Sequence, residues 1–190
     1  MDRQGPQGRR QPARAGFSML ELMVAIAALS VGLLGFTQAL VTAMRAQRMS
    51  HEQGLALESA RRQVELMKTV GFANVFRQFN GHRGDDLAGP GTAPGALFAV
   101  PGLQAPAGSG LAHPGEILFP VTSDQPGMLR EDLPRSEFGT PLDLNLDNGA
   151  IDSLDHSANY RVLPVLVRVR WSSMAGSGEV RIATLLGAGS

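Results

Sequence analysis

Charged side chains are absent from residues 22–44, "LMVAIAALSVGLLGFTQALVTAM", and return directly after them. At about 1.5 Å per residue, 23 residues would run roughly 34 Å as a helix. A bilayer core is about 30 Å thick. Residues 45–70 then carry a helical pattern in which Leu57, Ala60, Val64 and Met67 share one stripe. Glu58 precedes Arg62, and Arg61 precedes Glu65, at the spacing that pairs acid with base on a helix. Gly54 is a candidate bend and Gly71 a stop signal. The pattern predicts a helix from about Phe17 to Val70. The alternative is an anchor followed by a separate amphipathic helix, interrupted near Gly54 and the polar residues 45–53.

Periodicity then changes. Residues 81–115 are rich in glycine and proline and read as loop, with a short strand at Leu97–Val100. "EILFPVT" (116–122) is a candidate strand. "YRVLPVLVRVRW" (160–171) alternates, with Val165, Val167, Val169 and Trp171 on one face and Leu166, Arg168 and Arg170 on the other. "EVRIATLL" (179–186) alternates too, and "SSMAGSG" reads as a seven-residue loop between the two. One helix against an antiparallel sheet is an α+β layer architecture.

Charge sharpens the picture at the N-terminus. Of 17 basic and 17 acidic side chains, residues 1–16 hold four arginines (Arg3, Arg9, Arg10, Arg14) and one acid, Asp2. A basic leader before an apolar run points the leader to the cytoplasm and the chain after Met44 to the other side. A net charge of zero argues against nucleic acid as a partner of the whole chain. With no cysteine, disulfides, thiolate metal sites and cysteine nucleophiles are excluded.

The leader admits three readings. One is a secretory signal peptide cut near Val41-Thr42-Ala43. Another is a plain signal anchor. Neither accounts for Glu21, since a carboxylate in lipid costs about 2.5–3.5 kcal/mol, less near the interface. The third rests on Gly16-Phe17-Ser18-Met19-Leu20-Glu21. This stretch closely resembles the prepilin cleavage motif of type IV pilins and type II secretion pseudopilins, and the run after it is similar to pilin stems. The resemblance implies cleavage after Gly16 by a prepilin peptidase and methylation of the new N-terminus at Phe17. It also implies that Glu21 pairs with a Phe17 amine during filament assembly.

The resemblance further implies a pilin-like plan, a long N-terminal helix packed on a C-terminal antiparallel sheet. On it the chain divides into a leader (1–16), a transmembrane and filament-core helix (17–44), an amphipathic stem helix (45–79), a Gly/Pro-rich loop (80–115) and a sheet headpiece (116–190). The implied partners are the peptidase, other pilin or pseudopilin subunits and the inner-membrane assembly platform. The implied location is the inner membrane in a single pass, then a filament. The missing cysteines leave no C-terminal disulfide loop, which favours a minor pilin or pseudopilin.

Residues 143–156, "DLNLDNGAIDSLDH", carry another candidate chemistry. Asp143, Asn145, Asp147, Asp152 and Asp155 offer oxygen ligands in a pattern similar to a calcium loop, although Gly149 falls one place late and Leu154 stands where an acid is needed. A solvated acidic turn is the first reading and a degenerate calcium site the second. Arg168, Arg170 and Arg181 read as a solvated sheet face before a basic binding patch. His51, His82, His113 and His156 show no ligand spacing, and Gly108-Ser109-Gly110 and Gly176-Ser177-Gly178 lack the nucleophile-elbow pattern. No catalytic residue is expected, so a structural subunit is favoured over an anchored extracellular hydrolase or binding domain.

Overall fold

The computed structural model describes residues 16–147 and 149–188. The basic leader therefore lies outside the described residues, apart from Gly16. A long helix, α1 (Met19–Thr69), is followed by a short one, α2 (Phe72–Phe79). Four strands form one antiparallel sheet in the order β1 (Leu97–Phe98), β2 (Gly115–Leu118), β3 (Val162–Ser173) and β4 (Gly176–Gly187). The architecture is α+β, a long N-terminal apolar helix packed against a C-terminal four-stranded sheet. The chain divides into two compact units at the Met44–Arg45 junction.

In the first unit, α1 buries nothing: residues 19–44 are exposed along their whole length. Its three hydroxyl side chains are satisfied within the helix. The hydroxyls of Ser30, Thr37 and Thr42 donate to the carbonyls of Ile26, Leu33 and Gln38 at 2.8–2.9 Å. Such back-bonding leaves no hydroxyl needing water, which suits an apolar surrounding.

The second unit has the core. α1 runs through Gly54 without a break and ends just before Gly71. Its buried stripe is Glu52, Ala56, Ala60, Val64 and Met67. Leu57, expected on that stripe, is 36% exposed, whereas Ala56 is fully buried. One residue is about 100° around a helix, and the core-facing arc takes the two alanines, Ala56 and Ala60. Glu65 pairs with Lys68 at 2.8 Å rather than with Arg61. Beyond Gly71 the expected stem to residue 79 is a separate helix, α2, which buries Val75, Phe76 and Phe79.

On the sheet, Leu163, Val165, Val167, Val169 and Trp171 of β3 line the core face, joined by Leu186 of β4. The alternation expected there is the one observed. The hairpin is tighter than its composition suggests. Ser173 pairs with Gly176, so the link is only Met174-Ala175, and the strands extend over Ser172, Ser173, Ser177 and Gly178. Gly176 takes φ +139°, and a Cβ on Gly178 would lie 2.3 Å from the Trp171 ring opposite it. Only glycine gives that turn its backbone and that ring its space. β1 covers Leu97–Phe98 only, and β2 stops at Leu118, before Pro120, which has no N–H for a ladder.

Two polar anchors tie the helices to β3 and to the chain that enters it. Glu52 is buried and accepts hydrogen bonds from Trp171 Nε1 (3.0 Å) and Ser173 Oγ (2.9 Å). Tyr160 Oη donates to the Phe72 carbonyl at 2.7 Å, with the Phe72 ring edge-on at 5.0 Å. Burial holds the Tyr160 pKa above its ordinary value.

Candidate functional site

Gly16, Phe17 and Ser18 precede α1 and are not helical. Space around Gly16 is open, and Phe17 is 85% exposed. Ser18 caps the helix. Its Oγ accepts the backbone N–H of Glu21 at 3.2 Å, and its carbonyl accepts the N–H of Leu22 at 3.1 Å. Ser-x-x-Glu is the capping-box spacing, a signal in the sequence that the motif's other features conceal. Glu21 thus sits in the first turn, where the helix dipole favours a negative charge. This supplies a local reason for an acid at the edge of an apolar run, beside any pairing with an amine. The arrangement leaves the Gly16–Phe17 peptide bond outside the helix, in exposed chain.

The acidic stretch is a chain of short turns. Asp143 Oδ1 accepts Leu146 N–H (2.6 Å), and Asp147 Oδ1 accepts Gly149 N–H (2.6 Å). Asn145 Nδ2 donates to Asp147 Oδ2 at 3.0 Å. Asp155 turns away to cap Leu129 N–H (3.1 Å) and Ser157 N–H (2.9 Å). Among the described residues, the His, Asp and Glu side chains whose ligand atoms gather within 4.8 Å are Glu131, Asp152 and His156. That group takes Asp152 from the expected calcium set and leaves Asp143, Asp147 and Asp155 outside it. Their short side chains bond to nearby backbone, as Asx turns favour.

His156 is the residue that sequence spacing missed. Glu131 lies 25 positions upstream, so no local motif joins them. The imidazole is 3% exposed, with Nε2 3.0 Å from Asp152 Oδ1 and 3.6 Å from Glu131 Oε1. Nδ1 faces Asn159 Oδ1 at 3.2 Å. Burial opposes the charged imidazolium, but the Asp152 hydrogen bond, the Glu131 and Asp152 charges and Asn159 outweigh it, so the pKa is raised. Asp152 is shifted down, first by the Leu154 N–H and then by His156.

The basic residues of the sheet are paired. Arg168 Nε and Arg170 Nη2 both contact Glu116 Oε1 at 2.8 Å, and Arg181 pairs with Glu179. A cleft of about 740 Å³ opens beside α2, lined in part by Arg77, His82, Asp85 and Asp124. The Arg77 Nε–H there donates to the Asp85 carbonyl at 3.0 Å.

Residues 12–37 match the family model described as the prokaryotic N-terminal methylation motif. This motif is typical of the prepilin-type signal of type IV pilins and pseudopilins, so the chain begins as a pilin-type precursor does. Processing by a prepilin peptidase and assembly with other pilin subunits are what such a motif implies. The 51-residue α1 is long and apolar enough to cross a membrane, which suits a membrane-anchored protein. No curated protein and no solved structure matches the chain.

Proposed function

We propose that the chain is a structural subunit, a minor pilin or pseudopilin, of a type IV pilus or a type II secretion pseudopilus. It waits in the inner membrane with its leader in the cytoplasm and residues 45–190 outside. A prepilin peptidase cuts between Gly16 and Phe17 and methylates the Phe17 amine. The subunit then leaves the membrane and packs its exposed apolar helix among neighbouring stems. Glu21 is tolerable there because a neighbour's Phe17 amine neutralises it, and an ion pair of this kind sets axial register. The role is assembly rather than catalysis.

The observation carrying this reading is a methylation motif whose Gly16–Phe17 bond lies just outside a helix whose first half, residues 19–44, exposes its whole apolar surface. An ordinary signal peptide would be cut beyond the apolar run. The test is the mass of the membrane-extracted protein, expected to start at Phe17 with one added methyl group. Gly16→Trp should leave full-length precursor, because a bulky side chain replaces the smallest one at the cut. Normal processing of that variant, or a cut near Ala43, would refute the proposal.

A further inference from the structure

We infer that Glu131, Asp152 and His156 form a binding site for one divalent transition-metal ion, with zinc the best fit. The three side chains converge from a segment, residues 119–161, that joins β2 to β3 and whose described residues hold one short 3-10 turn, at Ser136–Phe138. Glu131 and His156 are buried, and Asp152 is partly exposed, its side chain at 43%. The site is thus closed on the protein side and open at one position, where water can complete the shell.

Geometry and charge both ask for a cation. When the Nδ1–H donates to Asn159 Oδ1, Nε2 turns its lone pair toward two carboxylate oxygens. In that tautomer three electron-rich atoms converge within 4.8 Å of one another. A proton or a metal ion resolves this. A tetrahedral ion with bonds of about 2.0–2.2 Å holds its ligand atoms roughly 3.4 Å apart. The separations from Nε2, 3.0 Å to Asp152 and 3.6 Å to Glu131, lie on either side of that value. A nitrogen ligand with two carboxylates suits zinc or a neighbouring transition metal rather than calcium or magnesium, which take oxygen.

Each ligand is also held in place from behind, as metal sites require. Glu131 Oε1 accepts the backbone N–H groups of Leu144 (2.7 Å) and Asn145 (3.3 Å). Asp152 Oδ1 accepts Leu154 N–H at 2.7 Å, and Asn159 orients the imidazole. The surrounding backbone is knitted as well, with His156 N–H donating to the Leu129 carbonyl at 2.9 Å and Leu142 N–H to the Glu131 carbonyl at 3.3 Å. In a chain without cysteine, an ion bridging Glu131 to Asp152 and His156 does what a disulfide would do for a long irregular segment.

The test uses the untagged full-length chain in detergent, stripped with chelator and titrated with zinc by calorimetry. Cobalt serves as a spectroscopic probe. Wild type should take up one zinc per chain, melt at higher temperature with zinc than with chelator, and give the visible bands of tetrahedral cobalt. His156→Gln should weaken zinc binding by at least roughly tenfold, since loss of even an outer-shell partner does so. Asp152→Asn, at a partly exposed position that tolerates change, should do likewise and keeps the test decisive if the buried histidine variant misfolds. No zinc uptake by wild type, uptake unchanged in Asp152→Asn, or equal stabilisation by calcium or magnesium would overturn the inference. A site that holds only a proton would give the first of these results.

Discussion

Leu33 and Ala60 lie in the same helix, α1. Leu33 is 65% exposed and Ala60 is fully buried. By side chain alone the order should be reversed, since leucine gains more from leaving water. What decides is the partner available to each half of the helix. Residues 45–69 have a sheet to face, and they meet it with small side chains and a hydrogen-bonded acid, Glu52. Residues 19–44 meet no such partner among the described residues and carry leucine, isoleucine, valine and phenylalanine on every side. A helix apolar all round takes its burial from lipid or from other chains. The first half is therefore addressed to surroundings that the folded chain does not contain, and the second half to the chain itself.

The sharpest way to break this contrast is Glu21→Ala. If the first half works through other subunits, the variant should be cut and inserted normally yet be depleted from sheared filaments. Losing one partner of a buried pair costs about 3–5 kcal/mol, enough to remove most incorporation. Wild-type abundance in filaments would mean that Glu21 matters only as part of the helix cap. Next is Leu33→Arg. A charge at mid-span costs about 2.5–3.5 kcal/mol on insertion scales, so the membrane-inserted fraction should fall, while thermal melting of whatever protein is extracted should not change. A drop in melting temperature would show that this half does support the folded unit. The smallest effect is expected from Ala60→Leu, which overpacks the stem against the sheet at a typical cost of about 1–3 kcal/mol. Melting in detergent should detect it, and Ala27→Leu, made at an exposed position of the first half, should leave the melting temperature unchanged. Equal behaviour of the two variants would erase the distinction between the halves.

What was legible in the chain follows one rule, that short-range patterns can be read. The apolar run, the Gly16-Phe17 and Glu21 spacing, and the alternation of Val165 through Trp171 each involve neighbours a few residues apart. The capping box at Ser18 and Glu21 is legible as well, although the same glutamate also belongs to the prepilin-like motif. The hairpin was half legible. Serines and glycines suggested a long loop, and the strands run through them because Trp171 lies over Gly178 and Ser173 holds Glu52. The stem stripe is legible at Ala60, Val64 and Met67, and only its N-terminal member differs, Ala56 being buried in place of Leu57 because the packed core settles which neighbouring arc is covered.

Local periodicity and composition were enough by themselves to determine an uncharged membrane-length helix and an α+β second half. They do so because each is a property of contiguous residues and of their transfer between water and a less polar medium. Contacts between distant positions were decided only in three dimensions. Glu52 meets Trp171 across 119 positions. Glu131 reaches His156 through a segment with almost no regular structure, and the acidic loop spends most of its carboxylates on its own backbone. No periodicity encodes such meetings. They depend on which loops the packed core brings together, and on the cost of leaving a buried polar group without a partner once it is there.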